Sequence, residues 1–160
     1  MAFMRLNDEY NKLNKNPNYF YSIAPDENNF FKWNFKLIGP PDTIFDGGIF
    51  EGIISFSNEY PNRPPIVKFT DNFYHPNIYK NGTVCISILH EGEDQFGYEK
   101  SSERWNPSHS VDSIMISILS MLPDPNLDSP ANVDAGVMWR ENFEIYKKEY
   151  IYKHVSKSHN

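Results

Sequence analysis

The run Tyr74-His75-Pro76-Asn77-Ile78-Tyr79-Lys80-Asn81-Gly82-Thr83-Val84-Cys85-Ile86-Ser87-Ile88-Leu89 decides the fold and most of the chemistry, and it holds the chain's only cysteine. Asn81-Gly82 is a turn dipeptide between apolar stretches. Cys85 stands eight positions after Asn77, whose side-chain amide is a donor of the kind that stabilises an oxyanion. Pro76 fixes the backbone between His75 and Asn77. A lone thiol in this setting is a candidate nucleophile. Sulfur attacks well and leaves well, so a thioester on it stays reactive towards amines. The competing reading is a buried structural thiol, a common fate of free cysteine.

Working outward, Phe31, Trp33, Phe35 and Leu37 alternate with polar residues and predict a half-buried strand. Residues 49–56 and 66–69 read as two further strands of an antiparallel meander. Tyr60-Pro61-Asn62-Arg63-Pro64-Pro65 is a rigid connection, since consecutive prolines cannot donate to a ladder. Phe3, Leu6, Tyr10 and Leu13 predict an amphipathic first helix that Asn16-Pro17-Asn18 ends. Downstream, Val111, Ile114, Met115, Ile118, Leu119 and Leu122 recur at helical spacing, with Ser110 as N-cap and Pro123 as stop. Ile116 adds an apolar residue on another side, so this helix reads as buried and central. Ser129-Pro130 predicts the start of a short helix through Val133, Val137 and Met138. A last helix over about 141–155 has Phe143, Ile145, Tyr146, Tyr150 and Ile151 on its inner side. Strands grouped ahead of helices give an α+β class, not a parallel doubly wound sheet.

The length of 160 residues and the 39% hydrophobic content predict one globular domain over 1–160. A formal net charge of -6 lacks the basic excess of a nucleic-acid-binding face, so no nucleic-acid partner is expected. No apolar run approaches the roughly 20 residues that span a bilayer, so no direct membrane insertion is expected. The first nine residues turn polar too early for a signal peptide. One cysteine allows no internal disulfide, which fits a cytoplasmic or nuclear protein. The histidines at 75, 90, 109, 154 and 159 lack ligand spacing, so no metal is expected.

His75-Pro76-Asn77, Gly82 and Cys85 together resemble the active-site signature of the ubiquitin-conjugating enzymes. The resemblance covers nearly the whole chain. It includes Tyr60-Pro61 with Pro64-Pro65, Trp105-Asn106-Pro107, and Pro125-Asn126 followed by Ser129, in the right order. It implies a four-stranded antiparallel sheet with four helices. It implies that Cys85 takes ubiquitin from the activating enzyme as a thioester. Transfer to a lysine of a substrate or of ubiquitin would follow with a RING-type ligase, feeding proteasomal degradation. No cofactor is implied, ATP being used upstream. By the same resemblance Asn77 serves the oxyanion, while His75 and Pro76 hold the active-site turn. Ligase and activating enzyme would meet Arg5, Lys12, Asn62, Arg63, Asn106, Pro107 and Ser108. The family often has an apolar anchor for the ligase where this chain has Asn62.

Between Leu89 and Trp105 the chain is longer than most of the family by about a dozen residues, beyond the usual connection length. This extended segment at about 90–104 carries Glu91, Glu93, Asp94, Glu99 and Glu103 against Lys100 and Arg104. It resembles the acidic-loop subgroup, which is linked to degradation at the endoplasmic reticulum, and so implies recruitment to that surface by a partner. An ammonium cannot attack a thioester, so a group that takes its proton is needed. His90, Glu93 and Asp94 are candidates. The gate position near the nucleophile, often acidic in the family, is Ser129 here, with Asp128 beside it. A solvated surface loop is the alternative reading of the segment.

Three rivals stand beside the transferase. A non-catalytic adaptor would lack the cysteine. A cysteine hydrolase would use His75 as its base. A conjugating enzyme for another ubiquitin-like modifier would share the fold and Cys85.

Overall fold

A computed structural model describes residues 1–92 and 103–158. Helix α1 spans Ala2–Lys15 and is followed by strands β1 (Tyr21–Asp26), β2 (Asn29–Ile38), β3 (Ile49–Ser55) and β4 (Ile66–Phe69). The strands pair antiparallel in sequence order, β1-β2-β3-β4. Helices α2 (Val111–Met121) and α3 (Val133–Glu141) come next. The last helix, α4, covers 143–158. It starts as Phe143–Tyr146, widens into a π turn over Lys147–Ile151 and closes as Tyr152–Ser158. The architecture is α+β, with four antiparallel strands and four helices, as the resemblance implies.

The alternation in β2 sets the sheet's register. Trp33, Phe35 and Leu37 are buried and lie opposite Ile54, Gly52 and Phe50 of β3. Gly52 is required by close approach: a Cβ there would come within 2.3 Å of the Phe35 ring and 2.6 Å of the Lys68 carbonyl. The buried face of the sheet shares one apolar cluster with Leu6 of α1, Ile114, Met115 and Ile118 of α2, and Tyr146 and Ile151 of α4.

Three expectations need correction, and one strand has no signal in the alternation. The edge strand β1 went unread, because Pro25 and the polar pair Ser22 and Asp26 hide its alternation; Pro25 is tolerated there because β1 has only one neighbour. Helix α3 starts three residues later than Ser129-Pro130 suggests, because the Asn132 side chain accepts from the Ala135 N–H and caps it. In α2, Ile116 is 44% exposed: the helix buries one face and turns the other outward. In α4, Tyr146 and Ile151 point inward as expected, but Ile145, ahead of the π turn, and Tyr150, which that turn rotates off the buried side, are exposed.

Candidate active site

Beyond β4 the chain returns as a short ribbon sewn to that strand. The Val84 N–H donates to the Val67 carbonyl and the Phe69 N–H to the Gly82 carbonyl. Gly82 has φ +97, and a Cβ there would sit 2.3 Å from the Phe69 carbonyl, so only glycine fits this turn. Ile78 bridges Val84 across the ribbon, and the Cys85 N–H donates to the Asn77 carbonyl over 2.9 Å. The tight turn thereby brings the thiol of Cys85 alongside Asn77.

His75 is fully buried. Its Nδ1 accepts from the Asn77 N–H over 3.0 Å and its Nε2 donates to the Leu122 carbonyl over 2.9 Å. Those partners assign the neutral Nε2–H tautomer. Burial lowers its pKa to about 4, against the pull of the Leu122 carbonyl. Both ring nitrogens are occupied within the protein, so His75 is not available as a base for Cys85, and the hydrolase reading loses its base. Pro76 accepts from the Asn132 N–H, tying the turn to the start of α3.

Asn77 is nearly fully buried. Its Nδ2 donates to the Asn126 carbonyl and its Oδ1 accepts from the Asn126 N–H, both over 2.8 Å. The amide is thereby fixed in plane. Its nitrogen carries two hydrogens, so it has capacity for a further acceptor, and Asn77 lines the same cleft as Cys85.

After Cys85, a 3-10 turn over Ser87–Leu89 reverses the chain and sets His90 Nε2 3.5 Å from Cys85 Sγ. The sequence offers His90 as a candidate for taking the lysine's proton; its contact with the thiol comes from this turn. The neck of the insertion closes behind His90. The Trp105 N–H donates to the His90 carbonyl, and the Arg104 guanidinium donates to the Glu91 and Gly92 carbonyls over 2.8 and 2.9 Å. Glu93 and Asp94 lie outside the described residues.

Cys85 opens on a cleft of about 600 Å³ lined by Asn77, His90, Asp124, Asn126 and Ser129 among others. Ser129 faces this cleft; Asp128 is exposed and does not line it. Asp124 was missed by sequence reasoning. Its one signal is its place between Pro123 and Pro125, which hold the segment that Asn77 latches.

The surface residues gather around α1. Arg5 Nη2 donates to the His109 carbonyl, and Arg5 Nε pairs with Glu9 over 2.9 Å. The Trp105 indole donates to the Pro61 carbonyl, joining the loop of Asn106, Pro107 and Ser108 to that of Asn62 and Arg63. Arg63 pairs with Glu59 over 3.1 Å and reaches Glu91 over 3.6 Å. Lys12 pairs with Asp8 in solvent. Among the described residues, no group of three or more His, Cys, Asp or Glu is placed to hold a metal ion, and no helix is long and apolar enough to cross a membrane.

Residues 5–153 match the family model described as ubiquitin-conjugating enzyme. The chain belongs to that family. A ubiquitin-conjugating enzyme E2 13 of Arabidopsis thaliana is 51% identical over 150 residues, covering 92% of this chain and 90% of the relative. Ubiquitin-conjugating enzyme E2 G2 of Homo sapiens is 49% identical over 149 residues, with the same coverage. A probable ubiquitin-conjugating enzyme E2 7 of Caenorhabditis elegans is 53% identical over 125 residues, 78% of this chain and 76% of the relative. The protein is therefore a ubiquitin-conjugating transferase, and its acidic insertion places it in the acidic-loop subgroup. The family's work implies ubiquitin, an activating enzyme and a ligase as partners.

Proposed function

We propose that Cys85 is the residue of this conjugating enzyme that carries ubiquitin, and that Asn77 holds the oxyanion formed when a lysine attacks. The observation that carries the assignment is the bond from the Cys85 N–H to the Asn77 carbonyl, which sets a half-exposed thiol beside a fixed amide. In charging, the Cys85 sulfur forms a bond to the ubiquitin carbonyl carbon, and the thiolate of the activating enzyme leaves. In transfer, a neutral lysine amine attacks the same carbon and Cys85 leaves as thiolate. Donation to the transient oxyanion is worth about 100- to 1000-fold in comparable sites.

The amine must lose a proton first. His90, 3.5 Å from the sulfur, and Asp124 in the same cleft are positioned to help, with Ser129 facing the incoming lysine. Glu93, Asp94 and Asp128 belong to the same acidic surround by sequence. His75 and Pro76 hold the turn. A RING-type ligase and the activating enzyme dock on Arg5, Lys12, Asn62, Arg63, Asn106, Pro107 and Ser108, an arrangement supported by the bond from Arg5 of α1 to the His109 carbonyl and the bond from the Trp105 indole to the Pro61 carbonyl. We place the enzyme, as a single domain, in the cytoplasm or nucleus, acting on substrate lysines for proteasomal degradation. Recruitment to the endoplasmic reticulum surface would come through a partner.

A charging assay tests this. The enzyme is incubated with ubiquitin, its activating enzyme and ATP, and run on a non-reducing gel with and without thiol. The wild type is expected to give a thiol-sensitive adduct, and Cys85→Ser a thiol-resistant ester or none. A thiol-sensitive adduct on Cys85→Ser sinks the assignment.

A further inference from the structure

The base of the acidic insertion is a neck whose two limbs are bonded to each other. The Trp105 N–H holds the His90 carbonyl, and the Arg104 guanidinium holds the Glu91 and Gly92 carbonyls. The Arg104 backbone is held in turn by His109. The half-buried His109 ring lies against Trp105, with centroids 5.8 Å apart, and its Nε2 donates to the Arg104 carbonyl over 3.1 Å. A carbonyl only accepts, so that nitrogen carries a proton. The backbone of His109 is fixed on both sides. Its N–H donates to the Asn106 carbonyl over 3.0 Å, and its carbonyl accepts from Arg5 Nη2 over 2.8 Å. The next residue, Ser110, caps α2. The ring therefore reaches from an anchored turn to the neck, and it lines the cleft into which Cys85 opens.

We propose that His109 is a positioning residue of the transfer, its ring holding Arg104 and, through the neck, keeping His90 at the Cys85 sulfur. The inference rests on Cys85 being the nucleophile and on His90 taking the lysine proton. In that step a His90 ring nitrogen takes a proton from the lysine ammonium. The neutral nitrogen bonds the thioester carbon, and the carbon–sulfur bond breaks with Cys85 leaving as thiolate. A base works only within hydrogen-bond reach of the proton it takes. His90 owes its place to two supports. On one side the 3-10 turn over Ser87–Leu89 sets it 3.5 Å from the sulfur. On the other it runs into Glu91 and Gly92, whose carbonyls Arg104 holds. Without the His109 donor the Arg104 carbonyl loses that partner, the guanidinium is freer to leave Glu91 and Gly92, and the neck behind His90 loosens. A rival use of the ring is as a base of its own in the cleft. Glutamine separates the two, since its amide donates to a carbonyl but takes no proton.

Single-turnover discharge tests this. Each variant is charged with ubiquitin, the activating enzyme is stopped, and loss of the thioester is followed on non-reducing gels over a range of free lysine. His109→Leu removes the donor and keeps a side chain against Trp105. It is expected to lower the maximal discharge rate about tenfold, part of the roughly 100-fold or more that a positioned base supplies. The lysine concentration at half-maximal rate is expected to stay unchanged. His109→Gln is expected to restore the rate. In a His90→Ala background, itself slower than wild type, His109→Leu is expected to add no further loss. The His90 ring-proton resonance of the uncharged enzyme, assigned by its loss in His90→Ala, is expected to shift in His109→Leu and to return in His109→Gln. Complete charging of the Leu variant shows that it folds. A Leu variant that discharges at the wild-type rate overturns the proposal. So does a Gln variant as slow as Leu, which makes the ring itself the working group. Full additivity with His90→Ala also overturns it, because His109 then acts apart from His90. Discharge of His90→Ala at the wild-type rate removes the His90 reading and the proposal with it. All of these outcomes leave Cys85 in place as the nucleophile; failure of the wild type to charge is what removes that reading.

Discussion

A histidine ten positions before a nucleophile invites a general-base role, and the two bonds at the His75 ring answer it. Nδ1 accepts from Asn77 and Nε2 donates to Leu122 inside a fully buried site. A second ring proton would need Nδ1 to become a donor facing an N–H. The folded protein therefore holds the His75 pKa at about 4, while the unfolded chain takes a proton near 6.5. Because the folded value is the lower one, the stability linked to neutral His75 is fully present above pH 6.5. It declines as pH falls towards 4, by about 3 kcal/mol in all. Urea unfolding is expected to show about 2 kcal/mol of this loss between pH 7 and pH 5. In a ring-proton titration His75 should stay neutral to near pH 4; a midpoint near 6.5 would overturn the account. The sequence showed that this His belonged to an active-site run, since His-Pro-Asn fixes the local backbone. It could not show which way each nitrogen points, because both partners are backbone groups and one lies 47 residues away. For the same reason the contact of His90 with the thiol and the place of Asp124 in the cleft needed the fold.

Periodicity carries an element when one face is buried and the ends have their own chemistry, and α2 has both. Ser110 accepts from the Ser113 N–H, while the Ser113 hydroxyl accepts from the Ser110 N–H, a reciprocal capping box. The Val111 N–H goes to Glu9, so the first turn of the helix is satisfied from two directions. Ser110→Ala breaks the box and is expected to cost about 1 kcal/mol, read as a lower urea midpoint with an unchanged slope. A loss of several times that size would mean that Ser110 supports more than the cap. Strand β2 was readable for the same reason as α2, with Trp33, Phe35 and Leu37 alternating into the core. Strand β1 and the start of α3 were not. One is an edge strand broken by Pro25, and the other is capped by an Asn that also donates its own N–H to Pro76.

At the scale of the molecule, one buried carboxylate links elements that are far apart in sequence. Glu9 sits on the inner face of α1 and accepts from three groups: Arg5 Nε over 2.9 Å, the Val111 N–H over 2.8 Å, and the Tyr60 hydroxyl. Burial and the Glu9 charge together hold the Tyr60 phenol far above its usual range, so it stays a donor. Tyr60 precedes Pro61, which receives the Trp105 indole, and Trp105 closes the neck of the acidic insertion behind His90. A single carboxylate therefore connects α1 and α2 with the Asn62 loop, and through Trp105 with the base of the active-site insertion. Removing it leaves the Tyr60 hydroxyl and a helix N–H buried without that acceptor and Arg5 with its bond to the His109 carbonyl but no ion-pair partner. Glu9→Ala is expected to cost on the order of 3 kcal/mol, with Glu9→Gln intermediate because it keeps acceptor oxygen but loses the charge. Equilibrium urea unfolding of the three proteins at one pH checks the order. If the linkage holds, Glu9→Ala also speeds amide hydrogen exchange at Val111 and Trp105, since both depend on elements that Glu9 ties together. Faster exchange at Val111 alone would confine Glu9 to a local helix cap and break the chain of contacts argued here.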